Sequence, residues 1–290
     1  MSDMFVKNDS GGAIGVTYEG GDADLLERIL PLADYIEVTL ESVAEYVDGA
    51  PRLNPEVMAE FRAIENDVAI VVHGVGLSIG SHDGWSPEYF PLLDAFLDQI
   101  KVAWHSEHLA YTQVDRQHLG IMLAMPKTEE ALDLVCERVA EVQRRYQLPF
   151  LLEHVVRVVP EPDGDFTDAA FLNALTERTG CGLIFDPYNL ECDAHNHRFD
   201  IPAFVDELNL ESIREMHMAC GVEHNGFLLD VHSQIPRSST IALAKHVANK
   251  LRRPGLAVTY EFMPEAIPQL GCDAIARELQ ELRAMFGARR

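Results

Sequence analysis

Eight short apolar runs recur along the 290-residue chain, each followed by an amphipathic stretch, and this alternation limits the fold more than any other feature. The runs are AIGVTY from Ala13, YIEVTL from Tyr35, VAIVVHGVG from Val68, KVAWHSEHLAY from Lys101, PFLLEHV from Pro149, CGLIFDPYNL from Cys181, IREMHMAC from Ile213 and LAVTYEFM from Leu256. Their near-continuous apolar character is that of parallel strands covered on both faces. Helix signals lie between them. Asn54-Pro55-Glu56 and Ser86-Pro87-Glu88 each set a capping side chain before a proline at the first helical position. After Thr128, the residues Leu132, Val135, Val139, Val142 and Tyr146 recur at helical spacing, as do Ile275, Leu279, Leu282 and Phe286 near the end. Eight such units in this length predict a (β/α)8 TIM-type barrel, with a doubly wound open sheet as the alternative. No low-complexity stretch or Pro/Gly/Ser linker breaks the rhythm, so one domain over residues 1–290 is expected.

In a barrel, the carboxyl ends of the strands share one rim, where sites are built. Read in order, those ends present His73, then His105 and His108, then Glu153, Asp186 with Asn189, His217, the pair Asp230 and His232 in a long insert, and Glu261. The longest irregular inserts are expected after the third strand, after the sixth through Arg198, and after the seventh, where FLLDVHS suggests a short extra strand. So many carboxylates on one rim are costly to bury without compensating cations, and the rim segments offer few basic residues, Arg157 and Arg198 among them. Metal binding is therefore the expected role of the rim. Histidine, carboxylate and an asparagine carbonyl without a convincing thiolate suit Fe(II), Mn(II) or Zn(II), whereas magnesium and calcium favour oxygen alone. The number of candidate ligands implies roughly two or three ions, bridged by carboxylates.

Charge and cysteine usage narrow the partners. The chain has 47 acidic against 23 basic residues, a formal charge of -24, which disfavours nucleic acid and anionic membranes. Five scattered cysteines without CxxC spacing indicate neither a disulfide framework nor a thiolate zinc site, and a reducing cytoplasm is expected. The stretch MSDMFVKNDSGGAIG lacks the apolar core of a signal peptide, and no run is long enough to span a bilayer.

Several motifs point to a known family. HGVGLSIGS from His73, SEHLAY around His108, LLEH, DPYN, EMHMACG and LLDVHS, in this order and spacing through nearly the whole chain, resemble the DUF692 family, the multinuclear non-heme iron dependent oxidases. The resemblance implies a TIM-type, xylose-isomerase-like barrel holding two or three irons, Fe(II)/Fe(III), with manganese and zinc open to the same ligands. Carried over motif by motif, the ligands would be His73, His108, Glu153, Asp186, Asn189, His217, Asp230, His232 and Glu261, with Glu153, Asp186 and Glu261 as the catalytic carboxylates. This set coincides with the one read from the strand ends once His108 is taken over His105. The implied activity is oxidation, often at cysteine, of a ribosomally synthesised precursor peptide, using dioxygen and helped by a peptide-recognising partner protein. The chain departs from the family pattern in LLEH for LLEN, DPYN for DVNN, HMACG for HLAG and DVH for DTH. It thus looks like a divergent member.

Other residues have plainer readings. His154 follows Glu153 in an alternating strand and should point away from the rim; SEHL favours His108 over His105. His195 and His197 read as solvated, and Cys192 and Cys220 as small buried hydrophobes. GVGLSIGS lacks the lysine of a phosphate loop. The alternative function is a divalent-metal-dependent sugar isomerase or hydrolase of the xylose-isomerase-like superfamily, which also gathers His, Asp and Glu at strand ends.

Overall fold

The computed structural model describes residues 11–160, 164–252 and 255–287, so the first ten residues of the amino-terminal stretch read for a signal core lie outside the described residues. In chain order the strands are β1 (Ala13–Thr17), β2 (Tyr35–Thr39), β3 (Ala44–Val47), β4 (Ala50–Leu53), β5 (Ala69–Gly74), β6 (Val102–His108), β7 (Ala110–Val114), β8 (Gln117–Ala124), β9 (Phe150–Glu153), β10 (Gly182–Phe185), β11 (Ile213–Met218), β12 (Val222–His224), β13 (Phe227–Leu229) and β14 (Ala257–Tyr260). Eight of these close into a parallel barrel in the order β1-β14-β11-β10-β9-β6-β5-β2. They are the eight apolar runs, so the barrel is confirmed and the open sheet is not formed.

The helices form where the sequence carries a cap and an apolar stripe. The Asn54 side chain accepts from the backbone N–H of Glu56 and Val57, with Pro55 opening Pro55–Ile64. Thr128 caps Glu129–Tyr146, which buries Leu132, Val135, Val139 and Val142. Ser86 does not cap. Ser86-Pro87-Glu88 is spent in a turn, with the Ser86 N–H donating to the Leu77 carbonyl at 2.9 Å, and the helix begins at Tyr89. A second difference follows β10, where the ligand-rich segment read as irregular is the helix Pro187–His197, capped by Asp186.

Outside the barrel, three antiparallel hairpins pair β3 with β4, β7 with β8 and β12 with β13. The extra strand expected in FLLDVHS is β13; the first two hairpins had no sequence signal because β3, β4 and β8 are largely exposed or only half-buried. No helix among the described residues is long and apolar enough to cross a membrane.

Candidate metal centre

Strand alternation sorts the barrel's residues into two environments. Outward-facing Ile36, Val38, Val72, Leu152, Phe185, Met216 and Val258 join the core under the helices. Inward-facing Tyr35, Val71, Trp104, Leu151, Ile184 and Ala257 form a separate apolar plug. Two residues further along the same strands, the same alternation turns Glu37, His73, Ser106, Glu153, Asp186 and Thr259 inward. A polar layer therefore sits on the plug, and all of these residues are buried.

At its centre is one oxygen of Glu153. Glu153 Oε2 lies 3.4 Å from His73 Nε2, 3.8 Å from His108 Nε2 and 3.2 Å from His217 Nδ1. His217 Nδ1 is also 2.9 Å from Glu261 Oε2, and the other oxygen of Glu261 is 3.2 Å from His232 Nδ1. His232 Nε2 lies 2.7 Å from Asp230 Oδ1. Four triplets have donor atoms mutually within 4.8 Å: His73, His108 and Glu153; Glu153, His217 and Glu261; Asp186, His232 and Glu261; and Glu37, His73 and His217. Eight of the nine sequence-read residues thus form one chain of neighbours. The ninth, Asn189, joins it by donating its amide to Glu153 Oε1 and to the His154 carbonyl, both at 3.2 Å.

Most of these atoms lack hydrogen-bond partners although they are buried. They include His73 Nε2, Glu153 Oε2, Asp186 Oδ2, Asn189 Oδ1, both nitrogens of His217, Asp230 Oδ1, His232 Nε2 and Glu261 Oε2. Buried polar atoms are almost always satisfied, so a cluster of orphans all belonging to metal-binding residue types fits a cation set between them. Neighbouring bonds prepare two rings for that task. Ser106 donates its hydroxyl to the Val72 carbonyl and can then accept the Nδ1 proton of His73, while His108 Nδ1 donates to the Gly74 carbonyl. Both rings are left with the Nε2 lone pair facing Glu153.

Carboxylates and imidazoles set one another's charge here: against burial, the carboxylates around His217 and His232 raise both rings well above the usual imidazole range. Burial, then the charges of Asp230, Glu153 and Glu261, push the Asp186 carboxyl well above its usual range. Burial likewise raises Glu37 to about 8, against the pull of His217. Burial would raise Glu153 too, but His217 and His108 beside it draw it down to about 2. His73 is held neutral by burial and by the two neighbouring imidazoles.

Asp186 and Asn189 are placed differently from their reading as a strand end. Asp186 is the cap of the helix Pro187–His197: Oδ1 accepts from the N–H of Tyr188 and of Asn189, while Oδ2 remains free. Asn189 lies in the first turn. His105 faces outward, bonded to the Tyr89 hydroxyl at 2.7 Å, and His154 packs against Phe204. His195 and His197 bond to the carbonyls of Gly226 and Arg157. Cys192 and Cys220 are buried with Tyr188 and Leu228. Sequence reading missed Glu37, which stands inside β2 rather than at its end; a carboxylate flanked by Ile36 and Val38 in a strand covered on both faces was the available signal.

The chain matches the family model described as RiPP precursor modification enzyme MbnB/TglH/ChrH over residues 14–286. A UPF0276 protein of Rhizorhabdus wittichii is 31% identical over 266 residues, 91% of each chain, and one from Caulobacter vibrioides is 29% identical over 265 residues, 91% of this chain and 90% of that one. Among solved structures, a xylose isomerase domain containing protein from Salmonella typhimurium superposes with a TM-score of 0.62 at 12% identity, over 93% of this chain and 95% of that one. D-psicose 3-epimerase from Clostridium cellulolyticum gives 0.56 at 14% identity, over 93% and 96%. These structures share the fold, the xylose-isomerase-like TIM barrel, and at such identity they carry nothing about the reaction. With the family model covering nearly every described residue, the chain belongs to the RiPP precursor modification enzyme family MbnB/TglH/ChrH, the family its strand-end motifs resemble.

Proposed function

We propose that this chain is a multinuclear iron-dependent oxidase that modifies a ribosomally synthesised precursor peptide, at cysteine, with dioxygen. The observation that supports it best is the linked set of buried, unpartnered imidazole and carboxylate atoms around Glu153 and Glu261. In this reading His73, His108 and Glu153 hold one ion, Glu153, His217 and Glu261 a second, and Asp186, Asn189, Asp230, His232 and Glu261 a third. Iron bound there would supply a redox couple able to react with dioxygen and an affinity for a cysteine thiolate.

The chain's own residues do the rest. Glu153 Oε2 faces His73, His108 and His217, and the two oxygens of Glu261 face His217 and His232, so each carboxylate would be shared between neighbouring ligand groups if ions were bound there. Asn189 anchors one oxygen of Glu153 through its amide N–H. Ser106 and the Gly74 carbonyl keep the protons of His73 and His108 on Nδ1, away from the centre. Exposed Phe227, Leu229, Val231 and Met263 stand on the insert carrying Asp230 and His232 or beside Glu261, an apolar approach suited to a peptide chain. Oxidation balances with dioxygen as acceptor: two electrons and two protons from the peptide give hydrogen peroxide, and four of each give two waters.

The test supplies Fe(II)-loaded protein with any short cysteine-containing precursor peptide that the reading frames beside its gene are found to encode. Dioxygen uptake with loss of hydrogens from the peptide is expected, and zinc should not substitute because it has no redox couple. Equal turnover with zinc under strict anaerobiosis would overturn the oxidase reading and favour the isomerase or hydrolase alternative.

A further inference from the structure

We propose that Glu37 is the positioning residue of the centre: its carboxylate accepts the Nε2 proton of His217 and so directs the Nδ1 lone pair of that ring at Glu153 and Glu261. The inference rests on the metal-binding reading above and concerns a residue outside the set read from strand ends.

His73 and His108 have their inner-facing nitrogens chosen by Ser106 and by the Gly74 carbonyl. His217 has neither device and faces carboxylates on both sides. Its Nδ1 is 2.9 Å from Glu261 and 3.2 Å from Glu153, and its Nε2 is 3.4 Å from Glu37 Oε2 and 3.9 Å from Glu215 Oε1. Something must therefore decide which nitrogen keeps the proton. Glu215 is not free to do so, because it already accepts from the Tyr35 hydroxyl at 3.0 Å, Trp104 Nε1 at 2.8 Å and the Thr259 hydroxyl at 2.5 Å. Glu37 is 0% exposed and neither of its oxygens has a hydrogen-bond partner. A shift of roughly half an ångström would bring Glu37 Oε2 and His217 Nε2 to an ordinary hydrogen-bond length. The result is a carboxylate–histidine–metal arrangement, in which the outer carboxylate fixes the tautomer and raises ligand basicity.

Glu37 could instead be a ligand, since it falls within 4.8 Å of donor atoms of His73 and His217. That role asks too much of the rings. His73 Nδ1 is held by Ser106 and its Nε2 already faces Glu153, while His217 would have to give up both protons to serve ions on either side. Positioning needs only the ordinary neutral tautomer.

The test uses full-length Glu37→Gln and Glu37→Leu beside the wild-type chain, each stripped of metal and titrated anaerobically with Co(II) and Zn(II) against a competing chelator. Glu37→Leu should keep the wild-type stoichiometry but weaken one site by roughly 10–100-fold. Glu37→Gln, whose amide carbonyl still accepts the Nε2 proton, should fall between. In zinc-loaded protein with 15N-labelled histidine, His217 should carry its proton on Nε2 in the wild type. Loss of a whole equivalent of metal in Glu37→Gln would make Glu37 a ligand and overturn the proposal, as would unchanged affinity in Glu37→Leu or a proton on Nδ1. Wild-type chain that takes up no metal would overturn the metal reading itself, which separates the two failures.

Discussion

Glu153 ends β9 with one oxygen facing three histidines and the other held by Asn189, so it is the residue whose charge the centre can least spare. Glu153→Gln keeps the shape and removes the anion; it should lose at least about one equivalent of metal and all turnover. Asn189→Ala removes a neutral group at the periphery and should keep part of the metal with weakened activity. Elemental analysis and turnover assays on both variants check the pair, and equal losses would contradict the distinction. That His73, His108, Glu153, Asp186, His217 and Glu261 lie close together was legible because barrel geometry sends strand ends to one rim, whereas Asn189, Asp230 and His232 sit on the helix and the insert beyond those ends. Glu37 was not, because its role depends on which atom of His217 it faces, and that is set by packing across the barrel rather than by spacing along the chain.

Between β10 and the helix that follows, Asp186 has two tasks: one oxygen caps the helix and the other is turned to the centre. Asp186→Asn retains a capping oxygen without the charge, whereas Asp186→Ala loses both. Chemical denaturation of the metal-free variants should find the asparagine form more stable by about 1 kcal/mol, with metal uptake impaired in both. Wild-type metal uptake by either would contradict the assignment of the free oxygen. The helix itself escaped sequence reading. Its buried residues include Pro187, Tyr188, Asn189, Leu190, Cys192 and Asp193, so it has no clean apolar stripe, and its polar residues are those of a site rather than a solvent face. The insert after β11 is a separable element, with Asp230 and His232 beyond the hairpin of β12 and β13. The double variant Asp230→Ala, His232→Ala should lose part of the metal while circular dichroism shows the barrel intact; full stoichiometry and activity would make the insert structural only.

Across the whole molecule, the apolar plug and the helix-covered outer core are built independently of the polar layer, so the barrel can fold without metal and still gain from it. Ions that bind the folded chain stabilise it by mass action, and they relieve repulsion among Glu153, Asp186, Asp230 and Glu261. Thermal unfolding should therefore shift upward on adding Fe(II), Mn(II) or Zn(II) to stripped protein, and a shift absent for all three would count against a shared centre. The barrel was legible from eight apolar runs because each strand is covered on both faces; the β3–β4 and β7–β8 hairpins were not, because the exposed or half-buried β3, β4 and β8 leave no such pattern. The central claim, that one rim gathers a multinuclear metal centre, is tested most directly by elemental analysis of anaerobically purified protein. The expected result is roughly two or three transition-metal ions per chain. Less than about one equivalent, with none taken up on reconstitution, would contradict it.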